Sequence, residues 1–242
     1  LQNDKVSEAD LIRNMSANCR SCVSGKTVLC IQDTSEINLY RHRGRIHKDN
    51  YVGVTHASER GLGFLIHPGF VIDAESGMPY GFSDVKVWNR GHEATAKDTS
   101  HAKNMAPKEQ KESYKWIESS LKSKQALASA REVILIQDRE GDVYEQFCIV
   151  PDERTHLLIR AKANRILSDQ TRLFEHLAGL PKQGNYLVVL EGDKRKDIKK
   201  RTATIEVRFS MVTISRNQYN DKSVPETKEL YAIEAREVTE GV

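Results

Sequence analysis

Nowhere does this sequence supply the roughly 18–20 apolar residues that a membrane-spanning helix needs. Nor does it open on a secretory leader: the first residues, LQNDKVSEAD, are polar and carry no apolar stretch. They also lack an initiator Met, so the chain reads as an excised piece of a longer protein. Cysteine is scarce, with Cys19, Cys22, Cys30 and Cys148 alone. Cys19 and Cys22 form a C-x-x-C, but no second pair follows at zinc spacing, so neither a disulfide framework nor a zinc module is expected. A reducing cytoplasm fits this usage. Charge of one sign is not in excess either. The net charge is +3 and the pI about 8.6, which permits nucleic-acid binding without demanding it. The histidines His42, His47, His56, His67, His92 and His101 do not cluster at metal-ligand spacing. Trp88 and Trp116 are expected in packing rather than as base-stacking platforms. What remains is an ordinary globular composition, 38% hydrophobic and 29% charged, able to build a core.

The apolar pattern gives an element order. Residues 7–22 read as a helix with Ser7 as N-cap and Asp10 three residues on. Thr27–Ile31 is a short apolar strand ending at Gln32-Asp33-Thr34. Residues 41–60 are basic and aperiodic, and read as a loop. Leu62–Asp73 and Tyr80–Asn89 form a hairpin across Glu75-Ser76-Gly77-Met78-Pro79. Glu112–Ala130 is an amphipathic helix with Trp116, Ile117, Leu121, Leu127 and Ala128 as its apolar side. Then come a strand at Glu132–Gln137, a helix at Asp142–Val150, a strand at His156–Ala161 and a helix at Leu173–Leu180. From residue 184 the texture changes. Asn185–Glu191, Thr202–Ile214 and Glu229–Glu237 alternate as antiparallel strands, joined in part by the basic run Lys194–Arg201. That run suits either phosphate tracking or a solvated hairpin loop. Antiparallel strands followed by helix-linked parallel ones imply an α/β fold with a mixed sheet flanked by helices. The expected organisation is a helical segment over 1–24, a core over 25–183 and an incomplete β-rich insertion over 184–242.

The sharpest chemical feature is a repeated one. VLCIQDT (Val28–Thr34) and VILIQDR (Val133–Arg139) are both apolar strands closing on Gln-Asp. Adjacent core strands of this kind put Asp33 and Asp138 at one end of the sheet, where ligand sites of open α/β sheets lie. Neighbouring carboxylates repel, and a hard divalent ion with oxygen ligands relieves that repulsion. Such ions serve in-line phosphoryl displacement. The plainer reading of either Asp is a turn or cap residue.

At these residues the chain resembles bacterial insertion-sequence transposases of the DDE class, the branch marked by a Tyr-Arg-Glu-Lys signature. Ile31-Gln32-Asp33-Thr34-Ser35 followed by Tyr40-Arg41-His42 is similar to that branch's first-aspartate block. Asp138-Arg139-Glu140-Gly141-Asp142 is similar to its second-aspartate block, and Leu158–Lys162 with Arg165 to the basic strand that follows. The resemblance spans nearly the whole chain. It implies an RNase H-like α/β core with a β-rich insertion near the C-terminus, Asp33 and Asp138 as catalytic ligands of Mg²⁺ or Mn²⁺, and Arg160, Lys162 and Arg165 as DNA contacts. It further implies double-stranded DNA as partner, both transposon ends and target, and a homodimer when assembled on DNA. Arg139, Glu140 and Asp142 would hold the second-aspartate loop in shape, or equally form no more than a salt-bridged helix start.

The family's catalytic Glu sits on a helix after the insertion, and nothing here matches it; Glu234, Glu237 and Glu240 are poor substitutes. The third acid is therefore expected beyond residue 242, and the chain as given is expected to be inactive in strand transfer and to bind metal weakly. The alternatives are a nuclease of the same fold, and a catalytically inactive DNA-binding relic of a transposase. An aspartyl-nucleophile phosphatase is a weaker option, because it usually carries D-x-D, whereas Thr34 and Ser35 follow Asp33.

Overall fold

A computed structural model of the chain describes residues 7–46, 52–55, 61–90, 114–193, 195, 197 and 199–239. The expectations for His47, His56, His92 and His101 lie outside these residues. The chain divides into two compact units, Leu1–Lys162 and Ala163–Val242.

The first unit opens with helix α1 (Glu8–Cys22). Its start is fixed by a capping box. The Ser7 hydroxyl accepts from the Asp10 amide at 3.1 Å, and the Asp10 carboxylate accepts from the Ser7 amide at 3.3 Å, satisfying donors the helix itself cannot. Strands β1 (Thr27–Gln32), β2 (Ser35–Asn38), β3 (Gly53–Val54), β4 (Leu62–Asp73) and β5 (Pro79–Trp88) follow, then helix α2 (Tyr114–Ala126) and strand β6 (Glu132–Gln137). Helix α3 (Tyr144–Ile149) and strand β7 (Thr155–Ile159) complete the unit.

These strands form one mixed sheet with the order β2-β4-β1-β6-β7, β3 and β5 also pairing with β4. β1 runs antiparallel to β4 and parallel to β6, and β6 runs parallel to β7. The parallel pairs are those reached through helices, as a crossover requires. This is the expected mixed sheet flanked by helices. Its core lies where Val28 and Cys30 of β1, Val71 of β4 and Val133 and Leu135 of β6 meet Cys19 of α1 and Val23 just after it, Leu127 and Ala130 after α2, and Val150 after α3. Burial of each large aliphatic side chain there contributes about 1.5–3 kcal/mol.

Two features depart from the sequence reading. The first strand ends at Gln32 as read, but a second strand, β2, continues its line beyond Asp33. Their register against β4 is unbroken from Val28↔Asp73 to Asn38↔Gly63, so Asp33 lies opposite Pro68 and Thr34 opposite His67. Pro68 has no amide proton to donate, which accounts for a gap in the ladder at that point. β3 likewise falls in the stretch read as loop. The second departure is at α2 and the turn after it, where Leu121 and Ala128 are exposed. Its buried side instead carries Trp116 and Ile117 together with Ser119, Ser120 and Ser123. A hydrophobicity pattern cannot find a serine face whose hydroxyls are needed elsewhere.

The second unit holds helix α4 (Leu173–Gly179) and a separate antiparallel sheet of β8 (Gly184–Leu190), β9 (Arg201–Ser215) and β10 (Thr227–Glu237), in the order β10-β9-β8. Leu173 and Leu177 of α4 are buried, and His176 hydrogen-bonds Ser210 of β9 at 2.9 Å. The helix thus groups with the strands after it, ahead of the expected boundary at 183/184. No described helix is long and apolar enough to cross a membrane.

Candidate functional site

β1 and β6 pair in parallel without slippage, from Thr27↔Glu132 to Gln32↔Gln137. Adjacent strands lie about 4.8 Å apart. The residues that follow this last pair are Asp33 and Asp138. The parallel register therefore aligns the two sequence-nominated carboxylates at one edge of the sheet. Side chains alternate along a strand. Gln32 and Gln137 point into the helix-covered side, so Asp33 and Asp138 project to the other face, where both are exposed.

Their surroundings differ. One Asp33 oxygen accepts from the amide of Thr34 at 2.7 Å. Asp138 has Arg160 at 3.8 Å, from just after the end of β7. The Arg160 backbone amide also donates to the Gln137 carbonyl at 3.2 Å, which seats this arginine against the second aspartate. Lys162 is exposed, and its backbone amide donates to Asp142 at 2.8 Å. Asp142 thereby ties the loop after Asp138 to the segment after β7. Glu140, in the one-turn 3₁₀ helix Arg139–Gly141, faces Lys115 at 3.6 Å. Arg165 belongs to the second unit and is half-buried there. Of the basic loop, Lys194, Lys196 and Ile198 lie outside the described residues. Arg195, Lys200 and Arg201 pair with Asp193, Glu191 and Glu237.

Sequence reading missed what lies under the carboxylates. The Gln32 carbonyl oxygen accepts from the Gln137 amide nitrogen at 2.5 Å and from Ser120 at 3.2 Å. The Gln32 amide donates to Ser119 at 3.3 Å and Ser123 at 3.1 Å. Gln137 also donates to Ser120 at 2.9 Å, and its own oxygen accepts from Gln146 at 2.5 Å. Gln146 of α3 donates further to the Gly141 carbonyl at 2.9 Å. Gln32, Gln137 and Gln146 are each 4% exposed or less. Such a network is stable in a low-dielectric interior only because its members are paired. The sequence did carry its signal, since glutamine precedes aspartate in both strands.

On the same side, His67 is fully buried. Its Nδ1 lies 2.9 Å from the Thr34 hydroxyl, and its ring meets Trp116 edge-on with centroids 4.6 Å apart. Burial, followed by the nearby charges of Lys115 and Lys86, pushes its pKa down to about 4.

Two adjacent hard oxygen donors suit a divalent ion that keeps most of its waters, as Mg²⁺ does with one or two carboxylates. Among the described residues no group of three or more His, Cys, Asp and Glu side chains gathers to hold a metal.

No family model matches the chain, and no curated protein matches it. Among solved structures, the cryo-EM structure of a piggyBac transposase synaptic complex with hairpin DNA overlaps 96% of this chain and 40% of that one, at 10% sequence identity and a TM-score of 0.34. The chain therefore spans well under half the length of that protein, and an overlap of this quality carries no functional argument.

Proposed function

We propose that the chain is the catalytic core of a DDE-type DNA transposase, in which Asp33 and Asp138 hold Mg²⁺ or Mn²⁺ and a glutamate outside residues 1–242 completes the site. One observation carries this reading. The in-register parallel pairing of β1 with β6 aligns the residues that resemble the family's first two acids. The mixed sheet flanked by helices is consistent with the fold that the resemblance implies.

A bound ion supplies a more acidic water or 3′-hydroxyl and stabilises charge on the leaving oxygen of an in-line displacement. The chain's own residues do the holding. The exposed carboxylates anchor the ion, and their mutual repulsion is relieved by it. Arg160, paired with Asp138, is placed to exchange that carboxylate for a phosphate of the DNA. Lys162 and Arg165 add positive charge for the transposon-end backbone. The parent reaction is hydrolysis at the transposon end, followed by attack of the freed 3′-hydroxyl on the opposite strand or the target. Two copies assemble on DNA to pair the ends.

The test is Mn²⁺ binding to this chain, followed by electron paramagnetic resonance. Asp33→Asn and Asp138→Asn are each expected to weaken binding at least tenfold, while Glu237→Gln leaves it unchanged. Equal Mn²⁺ affinity in both Asn variants would overturn the reading. This chain alone is expected not to nick duplex DNA with Mg²⁺. Sequence-independent cutting by the parent protein in a duplex-competition assay would favour a general nuclease.

A further inference from the structure

The glutamines that precede the two aspartates make a direct side-chain bridge under the sheet edge, and its consequence for the site is specific. Gln32 closes β1 and Gln137 closes β6, bonded to each other at 2.5 Å. Ser119, Ser120 and Ser123 hold the pair from α2. Gln146 continues the chain from Gln137 to the carbonyl of Gly141, three residues past Asp138. Gly141 lies so close to Gln137 that a β-carbon there would run into the Gln137 amide oxygen. One buried network thus ties together the end of the first strand, the end of the second, and the turn that leaves the second aspartate.

We infer that Gln32, Gln137 and Gln146 are positioning residues that set the separation and direction of Asp33 and Asp138 for a shared divalent ion. The inference rests on the proposed metal role of the two aspartates. None of the three glutamines touches the ion. Each acts through the backbone of a residue that carries a ligand or follows one. The alternation of side chains makes this arrangement economical: one residue faces inward and locks, and the next faces outward and binds. An apolar residue at either glutamine position would still fill the core, but it would leave the two strand ends joined by backbone pairing alone. Partners that orient metal ligands without touching metal typically account for 10–100-fold in affinity.

The experiment uses the whole chain and Mn²⁺ alone as the probe. Binding is read by electron paramagnetic resonance for the unaltered protein, for the double variant Gln32→Leu/Gln137→Leu, and for Gln146→Met. Circular dichroism and thermal unfolding establish that each is folded. The double variant is expected to bind Mn²⁺ about tenfold more weakly, with a broadened spectrum. Gln146→Met, which loosens only the Asp138 side, is expected to show a smaller loss in the same direction. Wild-type affinity and line shape in folded glutamine variants would overturn the inference while leaving the carboxylate reading intact, provided Asp33→Asn and Asp138→Asn still lose binding. Binding that survives both Asn substitutions would instead remove the metal reading and this inference together. If the double variant does not fold, Gln146→Met decides, because it leaves the Gln32–Gln137 bond in place.

Discussion

Acid should destabilise the first unit through His67 before it reaches the ordinary carboxylate range. The imidazole is fully buried, has the Thr34 hydroxyl at 2.9 Å on Nδ1, and among the described residues finds no hydrogen-bond partner for Nε2. Burial, with Lys115 and Lys86 nearby, pushes its pKa down to about 4, against about 6.5 in an unfolded chain. The sign follows from proton counts. Between those two values the unfolded chain binds a proton that the folded form refuses, so stability falls as pH falls through this window. A displacement of about 2.5 units at about 1.4 kcal/mol each gives a full loss of about 3 kcal/mol. About 2 kcal/mol of that is already gone between pH 7 and pH 5. The assay is urea unfolding at pH 7 and pH 5 for the unaltered chain and for His67→Gln, which keeps a polar contact for Thr34 but cannot titrate. The unaltered chain should lose about 2 kcal/mol more over this interval than the variant. Equal losses would refute the reasoning, since they would mean that His67 is hydrated or already charged in the folded protein. Thr34 follows Asp33 directly, so the same protonation also reaches the candidate site. A charged ring can only donate to the Thr34 hydroxyl, which fixes the orientation of the residue beside the first carboxylate.

Two further outcomes test the local packing. Gly141→Ala presses a methyl group against the Gln137 amide and within 3.0 Å of the Gln137 β-carbon, so it should cost about 1–3 kcal/mol in denaturant unfolding. An unchanged midpoint would mean that the turn after Asp138 gives way freely. Ser7→Ala removes the capping hydroxyl of α1 and should cost about 1 kcal/mol in the same assay; no loss would show that α1 frays without consequence for the core.

Element positions were legible in the sequence where apolar periodicity and turn chemistry agreed. α1 begins where Ser7 and Asp10 said it would, and the hairpin strands meet across Glu75–Met78, with the Asp73 carboxylate accepting from the Ser76 and Glu75 amides. The parallel alignment of Asp33 with Asp138 followed from two similar strands separated by a hairpin and a helix. What was not legible depends on partners distant in sequence. The gap in the ladder at Asp33 is set by Pro68, which lies across the sheet. The buried side of α2 was legible at Trp116 and Ile117 but not at Ser119, Ser120 and Ser123, which are buried for their hydroxyls and whose partners are glutamines on two other elements. β5 alternates imperfectly because its register with β4 shifts between Pro68 and Phe70 and again between Val71 and Ile72. The resemblance grouped Arg165 with Arg160 and Lys162, yet it falls in the second compact unit.

The repeated Gln-Asp is better understood as one device than as two motifs. Strand geometry gives consecutive residues opposite faces, and a slip of one residue exchanges them. In the register observed, two glutamines are buried where serines from α2 can satisfy them, and two aspartates stand in solvent where charge costs little. A one-residue slip of β6 against β1 would bury Asp138 among the serines and expel Gln137. That would strand a carboxylate in a low-dielectric interior and leave the Gln32 oxygen without its shortest bond. Both errors are expensive, so the polar network selects the register as well as stabilising it. The register in turn decides whether the two acids meet. A chain with leucine at both glutamine positions would keep its hydrophobic pattern and lose that selection. The alignment on which the proposed chemistry depends is therefore specified by the buried amides and not by the carboxylates themselves.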